Sequence, residues 1–470
     1  MLDPGFTFVL KPKTEKLNLG EEQIAALKAL EEFTTGEDSC ISLVGSAGTG
    51  KTSIIKEYLE YLDDSDIPYV LAAPTHRAKL VLESLTGTEE AYTVHQLLSL
   101  APDIAIFELD YRELLFKVAD SFHNSTIPYK GVAIIDEASM IGDDLFKLLL
   151  EKCGEFKCKI VFVGDARQLR PVKSDTISKV FTLPNKVELT RIYRQKQDSP
   201  VTDVLSILRN RALDKFETSI GNEDAFIVNN TTKDFLLNAR PYLQKTVKDR
   251  NVLNCKILAY TNARVNAYNE IARKLVFDNI SNPFNVNEIL CGTDNFDYNG
   301  DKFYNSLDYI VDSVEEHFVM VPHIRVYLKG WHLRLYDTVY KGYLDVFVTT
   351  QNDNNPDMLL ALGKAIEKIR IEALLAKQAG NRRVASKLWK QYFEIINSFA
   401  TTYNLYYENR VIKKKTFDYG YAITVHRSQG TTLNTVFVDI GNINKANPEE
   451  IQQLQYVAIS RTRGNAYILV

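Results

Sequence analysis

Gly45-Ser46-Ala47-Gly48-Thr49-Gly50-Lys51-Thr52 has the spacing G-x-x-x-x-G-K-[ST], which serves phosphate chemistry. Its glycines let the backbone curl until successive N–H groups converge on phosphate oxygens, and a helix N-terminus behind them adds a favourable dipole. Lys51 in such a loop reaches the β/γ-phosphates, and the Thr52 hydroxyl is a ligand for Mg²⁺. Downstream, Asp136-Glu137 ends the apolar run Gly131 to Ile135. Asp136 suits a small hard cation that keeps much of its water shell, and Glu137 beside it suits the orientation of an attacking water. The chemistry is phosphoryl transfer to water, where the protein positions groups and neutralises charge. Gly164-Asp165 closes another apolar run and leads to Gln168. An amide there could meet a γ-phosphate or the catalytic water, but alone it reads more readily as loop filler. Arg194 and Arg461 are ambiguous by themselves, because arginines on helix faces or before glycine are commonly solvated.

These groups need elements that bring them together. Cys40 to Val44 reads as a buried strand, and Thr52 to Leu62 places Ile54, Ile55, Tyr58, Leu59 and Leu62 at helical spacing. The loop therefore has the strand–loop–helix setting it requires. Before it, Leu19 to Gln23 opens a helix with an apolar side of Ile24, Leu27, Leu30 and Phe33, and residues 1–18 read as an extended leader. Pro68 to Ala73, Gly131 to Ile135 and Lys159 to Val163 are further strand-like runs. Strands that are apolar throughout and acidic only at the carboxyl end suit a parallel sheet with chemistry at that edge. A second α/β section starts near residue 180, with strands expected at Lys186 to Leu189, Cys255 to Tyr260, Thr435 to Ile440 and Asn465 to Val470. Residues 97–129 and 281–415 interrupt the alternation and read as insertions. Within the second, residues 361–390 carry eight Lys or Arg against two Glu. That run, like Lys413-Lys414-Lys415, could track phosphates or form a solvated helix face.

At 470 residues, 45% hydrophobic and 25% charged, the chain should hold two to four globular domains. A net charge of −4 gives no global electrostatic case for nucleic acid or membrane. The five cysteines are scattered and include no C-x-x-C pair, which favours reduced thiols over a disulfide framework or zinc site. No run approaches 18 apolar residues, so a soluble, cytoplasmic protein without membrane contact is expected.

The ordered set of motifs resembles the superfamily 1 helicases of the 5′-to-3′, RecD-like branch. Dda-type enzymes are the most similar in length and placement of insertions. The resemblance rests on Leu19 to Gln23, Gly45 to Thr52, Ala73 to His76, Thr93 to His95, Asp136 to Met140 and Gly164 to Val172. It continues through Leu189 to Gln195, Tyr421 to Gly430 and Gln455 to Gly464. It implies two RecA-like parallel-sheet domains: a first at 1–96 and 130–178, and a second at 179–280 and 416–470. The insertion at 97–129 would be a small pin domain with Phe107 at its strand-separating tip. The one at 281–415 would be a β-barrel-like, SH3-like subdomain with a helical extension.

The resemblance also assigns roles. Gln23 would read adenine, making ATP with Mg²⁺ the expected nucleotide. Gln168 would sense the γ-phosphate, Arg194 and Arg461 would reach it from the second domain, and Gln429 and Gly430 would link nucleotide state to the strand. Pro74, Thr75, His76, Thr93 and His95 on the first domain, and Thr424, His426 and Ser428 on the second, would contact single-stranded DNA. The implied activity is ATP-dependent unwinding of tailed duplex DNA by a monomer, with replication or recombination proteins as further partners. A phage-encoded enzyme would act in the host cytoplasm. The alternatives are a DNA-stimulated ATPase translocase or a nucleotide-timed DNA-binding switch with little unwinding.

Overall fold

The structure is a computed structural model and describes residues 19–46, 48–87, 90–102, 116–118, 126–171, 177–191 and 199–470. Residues 1–18, Ala47, Phe107 and Arg194 lie outside the described residues.

The first half is built on six parallel strands, in the order Ala91–Thr93, Tyr69–Ala73, Val132–Ile135, Lys159–Gly164, Cys40–Gly45 and Lys186–Leu189. Period-two alternation divides the side chains between two apolar layers. Val132, Ile134, Val161 and Val163 face the helices Glu21–Thr35 and Lys51–Asp64, while Ala133, Ile135, Ile160 and Phe162 face Phe146, Leu149 and Cys153 of Asp143–Glu155. Burial on both faces explains why these strands lack a polar side. Two expectations change here. Lys186–Leu189 pairs with Cys40–Gly45 at the edge of this first sheet, so it is not part of the second. The opening helix buries Gln23, Ala26, Leu30 and Phe33, leaving Ile24 exposed.

The second half repeats the plan. Ala422–Thr424, Cys255–Ala259, Thr435–Asp439, Ala466–Leu469 and Ala225–Asn229 run parallel in that order, with Ser219–Ile220 antiparallel at the edge. These two RecA-like sheets form the α/β frame.

Between Cys255–Ala259 and Ala422–Thr424 the chain builds a separate sheet, ordered Ala400–Thr401, Tyr343–Thr349, Val326–Asp337, Asp308–Val321, Ile289–Gly292 and Phe417–Tyr419. Its ends meet, because Thr416 N donates to Thr401 O at 2.8 Å, so the sheet is barrel-like around Tyr309, Leu333, Val348 and Phe417. Phe417–Tyr419 belongs to this sheet, which carries the insertion past residue 415. Helices Pro356–Gln378 and Arg382–Ile396 form a hairpin packed on its far end. Two cations of the basic stretches are used internally: Arg370 pairs with Glu367 at 2.8 Å, and buried Lys413 donates to Ile396 O at 2.6 Å.

The insertion touches both halves through Asp308. Lys256 of the second half binds it at 2.9 Å, and Arg77 of the first lies 3.6 Å away while donating to Ser306 O at 2.8 Å. Near residues 97–129 a two-stranded hairpin pairs Leu100–Pro102 with Phe116–Val118.

Candidate active site

Glycine is required twice at position 50. Its φ is +81°, and a Cβ there would stand 2.0 Å from Gln23 Nε2. The loop is drawn together by its own bonds: Thr49 Oγ1 donates to Ser46 O at 2.9 Å, and Lys51 Nζ donates to Gly45 O at 2.6 Å and Ser46 O at 3.1 Å. No side chain among the described residues caps the helix Lys51–Asp64, so its first-turn N–H groups suit an anion. Thr52 is half-buried in that first turn.

Gln23 takes a different place from the one the resemblance implies. Its Nε2 donates to Thr49 O at 3.1 Å and its Oε1 accepts from Gly20 N at 2.9 Å. Both ends of the amide therefore hold backbone, and reading a base would require exchanging those bonds. The neighbouring Glu22 accepts from Thr190 N, Thr190 Oγ1 and Arg191 N at 2.7–3.0 Å. The opening helix thus fixes both the phosphate loop and the chain leaving the first sheet.

Asp136 and Glu137 follow the buried strand Val132–Ile135, and Glu137 turns the chain with a φ of +51° into the short 3₁₀ turn Ala138–Met140. Burial pushes both carboxyls up. For Glu137 the Asp136 charge adds to burial, bringing it to about 7, while Arg461 and Lys51 oppose the shift. The charge of Arg461, on the second half, thus bears on Glu137 of the first. Arg461 is itself buried, its Nε donating to Val457 O and its guanidinium to Ser460 Oγ, each at 3.0 Å.

Gln168 is buried on the chain leaving Asp165, and its Oε1 has no hydrogen-bond partner among the described residues. Gln429 Nε2 is likewise buried and unpartnered. Such orphaned groups carry a desolvation cost, which a bound water would relieve at the Gln168 oxygen and a phosphate or a water at the Gln429 nitrogen. For Mg²⁺, the residues present fit: Asp136 is a carboxylate that burial disfavours in its charged form and that a cation would stabilise. Among the described residues no group of three or more His, Cys, Asp or Glu forms a metal cluster. That suits an ion held mainly by phosphates, water and one or two side chains.

The expected DNA contacts share a design. Thr75 Oγ1 accepts from Ala78 N, Thr93 Oγ1 from Gln96 N and Thr424 Oγ1 from Arg427 N, at 3.2–3.3 Å. Each hydroxyl oxygen is spent on a local backbone N–H, which leaves its proton to donate to a phosphate. Pro74 is half-buried immediately before the first of them. His76 packs its ring 4.4 Å from that of Tyr304, and burial, Lys79 and His95 lower it to about 4. Burial lowers His95 as well. These imidazoles are neutral at pH 7, suited to stacking and hydrogen bonding rather than to charge pairing. His426 is exposed, its ring 6.0 Å from Tyr260. Ser428 departs from the expectation, being fully buried and donating to Val425 O at 2.7 Å. Gly430, at φ +71°, brings its second-half turn against Ala78, where a Cβ would sit 3.7 Å from the Ala78 Cα.

Sequence reading passed over Tyr456, whose hydroxyl donates to Asp165 Oδ2 at 3.0 Å across the halves. It sits in the buried helical run Leu454 to Ile459, where periodicity alone marks it as core. Leu169 was also missed; it packs into the apolar cluster of the second half with Val201 and Leu205.

The comparisons with known proteins agree with this layout. Residues 18–221 match the AAA domain family model, and residues 419–469 match the UvrD-like helicase C-terminal domain. The chain is 26% identical to the ATP-dependent DNA helicase dda of Enterobacteria phage T4, over 91% of this chain and 93% of that protein. It is 30% identical to the ATP-dependent RecD2 DNA helicase of Deinococcus radiodurans over 40% of this chain and 24% of that one. A crystal structure of the Pif1 helicase from Candida albicans shares the fold, with a TM-score of 0.50, 17% identity, and coverage of 96% of this chain and 94% of that one. With the motifs in order along both RecA-like halves, the chain is similar to the superfamily 1 helicases, in the branch related to Dda.

Proposed function

We propose that this ATP-dependent DNA helicase moves 5′ to 3′ along single-stranded DNA and separates the duplex ahead of it. The observation that carries the reading is that the second half closes on the site: Tyr456 donates to Asp165 Oδ2 at 3.0 Å across the halves, and the charge of Arg461, five positions on, bears on Glu137, the candidate water-orienting carboxylate. A hydrolytic site completed from across a cleft makes turnover depend on how the halves sit. That dependence is what a motor needs.

ATP phosphates would lie in the loop Gly45 to Thr52, with Lys51 withdrawn from the carbonyls it now holds. Thr52 and Asp136 would hold Mg²⁺, and the ion would supply charge neutralisation at the phosphates. Glu137 orients the attacking water, Gln168 offers its unpartnered amide oxygen, and Arg461 meets charge that develops on the γ-phosphoryl group. Arg194 would join it from the same half. Single-stranded DNA would cross the two sheets at Thr75, Thr93 and Thr424, held by sequence-blind phosphate contacts, with neutral His76 and His95 beside it. Gly430 against Ala78 supports a coupling route, since the nucleotide-side turn of one half touches a strand-side helix of the other. The pin role of Phe107 completes the proposal.

The test is unwinding of two matched duplexes, one with a 5′ and one with a 3′ single-stranded tail, in Mg-ATP with Lys51→Ala as control. Opening of the 5′-tailed duplex alone is expected. Opening of the 3′-tailed duplex alone would overturn the polarity. If neither opens while DNA still stimulates ATP hydrolysis, the protein is a translocase without strand separation.

A further inference from the structure

Tyr456 lies on the second-half helix Pro448–Ile459, five positions before Arg461, and is 2% exposed. Its hydroxyl reaches across to the first half, donating to Asp165 Oδ2 at 3.0 Å, and the Ser46 side chain of the phosphate loop lies close enough to oppose the rise of its pKa. Burial and Asp165 push the phenol up to about 12, so it remains a donor at any working pH.

Asp165 is more than an anchor for Tyr456. Its Oδ1 accepts from Arg167 N at 3.0 Å, and its carbonyl accepts from Gln168 N at 3.1 Å, so it sets the turn that aims Gln168. The same segment crosses to the second half twice more. Leu169 enters the apolar cluster there, and Arg170 lies 3.4 Å from Glu449 on the Tyr456 helix. Immediately before Tyr456 on that helix, Gln455 binds Leu213 through both its amide groups at 3.0–3.1 Å, which fixes the helix in its own domain.

We propose that Tyr456 is a positioning residue for ATP hydrolysis. Its hydroxyl ties the Gln168 turn at Asp165 to the helix that presents Arg461, so turn and helix move as one unit when the cleft closes. The inference rests on the motor reading above but concerns a residue that makes no contact with nucleotide or DNA in it. Core packing explains the ring of Tyr456. It does not explain a phenol hydrogen-bonded to a carboxylate of the opposite half.

Tyr456→Phe keeps the ring and removes the hydroxyl, and Asp165→Asn alters the same bond from the other side. The measurement is steady-state ATP hydrolysis with saturating single-stranded DNA, alongside binding of a fluorescent ADP analogue and the thermal midpoint. Tyr456→Phe should lower kcat about tenfold while KM for ATP and ADP affinity stay within about twofold. The double variant should be no slower than the slower single, because both changes break one linkage. A kcat within about twofold of the parent, or losses that multiply in the double variant, would overturn the proposal. A loss of thermal midpoint in Tyr456→Phe with unchanged kcat would assign the hydroxyl to stability alone and overturn it equally. A parent that hydrolyses ATP without responding to DNA would count against the motor reading, and the same comparison of basal turnover would still decide the role of Tyr456.

Discussion

In each parallel sheet the third strand ends at an aspartate. In the first half it is Val132–Ile135 leading to Asp136, and in the second Thr435–Asp439 itself. The fifth strands also correspond: Cys40–Gly45 enters the glycine loop, whereas Ala225–Asn229 enters a short turn that Thr231 caps by accepting from Asp234 N. Asp439 is satisfied by protein. Its Oδ2 accepts from Arg264 Nε and the Tyr268 hydroxyl, both at 2.7 Å, and its Oδ1 accepts from Asn442 N at 2.8 Å. The space beside it, about 260 Å³ and lined by Asn230, Thr232, Arg264 and Asn442, is thus furnished with its own counter-ion. Asp136 is half-buried beside Glu137, with Lys51 as the nearby opposing charge. The same residue type at the same place in the same fold is structural in one half and poised for a ligand in the other. Bare backbone N–H groups and an unpaired carboxylate make the site; the sheet edge alone does not.

The largest effects should follow from removing what the second half lacks. Lys51→Ala and Glu137→Gln are each expected to lower kcat by about 10³ or more, with Glu137→Gln still binding ATP. Retained DNA-stimulated hydrolysis in either would break the comparison at its centre. Next come the paired aspartates. Asp136→Asn should abolish turnover without lowering the thermal midpoint, because it removes a charge that burial disfavours. Asp439→Asn should do the reverse, costing on the order of 2 kcal/mol of stability and leaving turnover per folded molecule intact. That is less than the roughly 3–5 kcal/mol of a fully buried pair, because the Arg264 side chain is 37% exposed. Equal behaviour of the two variants in calorimetry and ATPase assays would erase the distinction.

The smallest effect is on pH. The Glu137 carboxyl sits near 7, raised by burial and by Asp136. Protonation below that value removes the group that orients water, so kcat/KM for ATP should fall as pH drops through about 7, approaching tenfold per unit on the acid side. A flat profile across that range would show that another group limits the free enzyme.

Much of the catalytic layout was legible because it is local. The phosphate loop, the helix behind it with Ile54, Ile55, Tyr58, Leu59 and Leu62 buried, and the acidic strand ends at Asp136 and Asp165 are encoded within a few residues each. What sequence misjudged depends on partners distant in the chain. Lys186–Leu189 has the composition of an edge strand for either sheet, and pairing with Cys40–Gly45 decides which. Phe417–Tyr419 lies three residues before a RecA-like strand yet pairs with Ile289–Gly292 in the barrel-like insertion. Ala225–Asn229 escaped notice because its mixed burial blurs both the alternating and the all-apolar pattern. Gln23 and Ser428 sit in motif positions while their side chains serve backbone, and Tyr456 hides a polar tip in an apolar helix run.

In the proposed mechanism the first half holds the nucleotide and the second half triggers hydrolysis. The most direct measurement is single-turnover ATP hydrolysis by Arg461→Ala with saturating single-stranded DNA, beside ATP affinity measured on the same variant. The account predicts a hydrolysis rate lower by about 10³ with affinity within about tenfold of the parent. Hydrolysis near the parent rate would contradict it, because the site would then be complete within the first sheet alone.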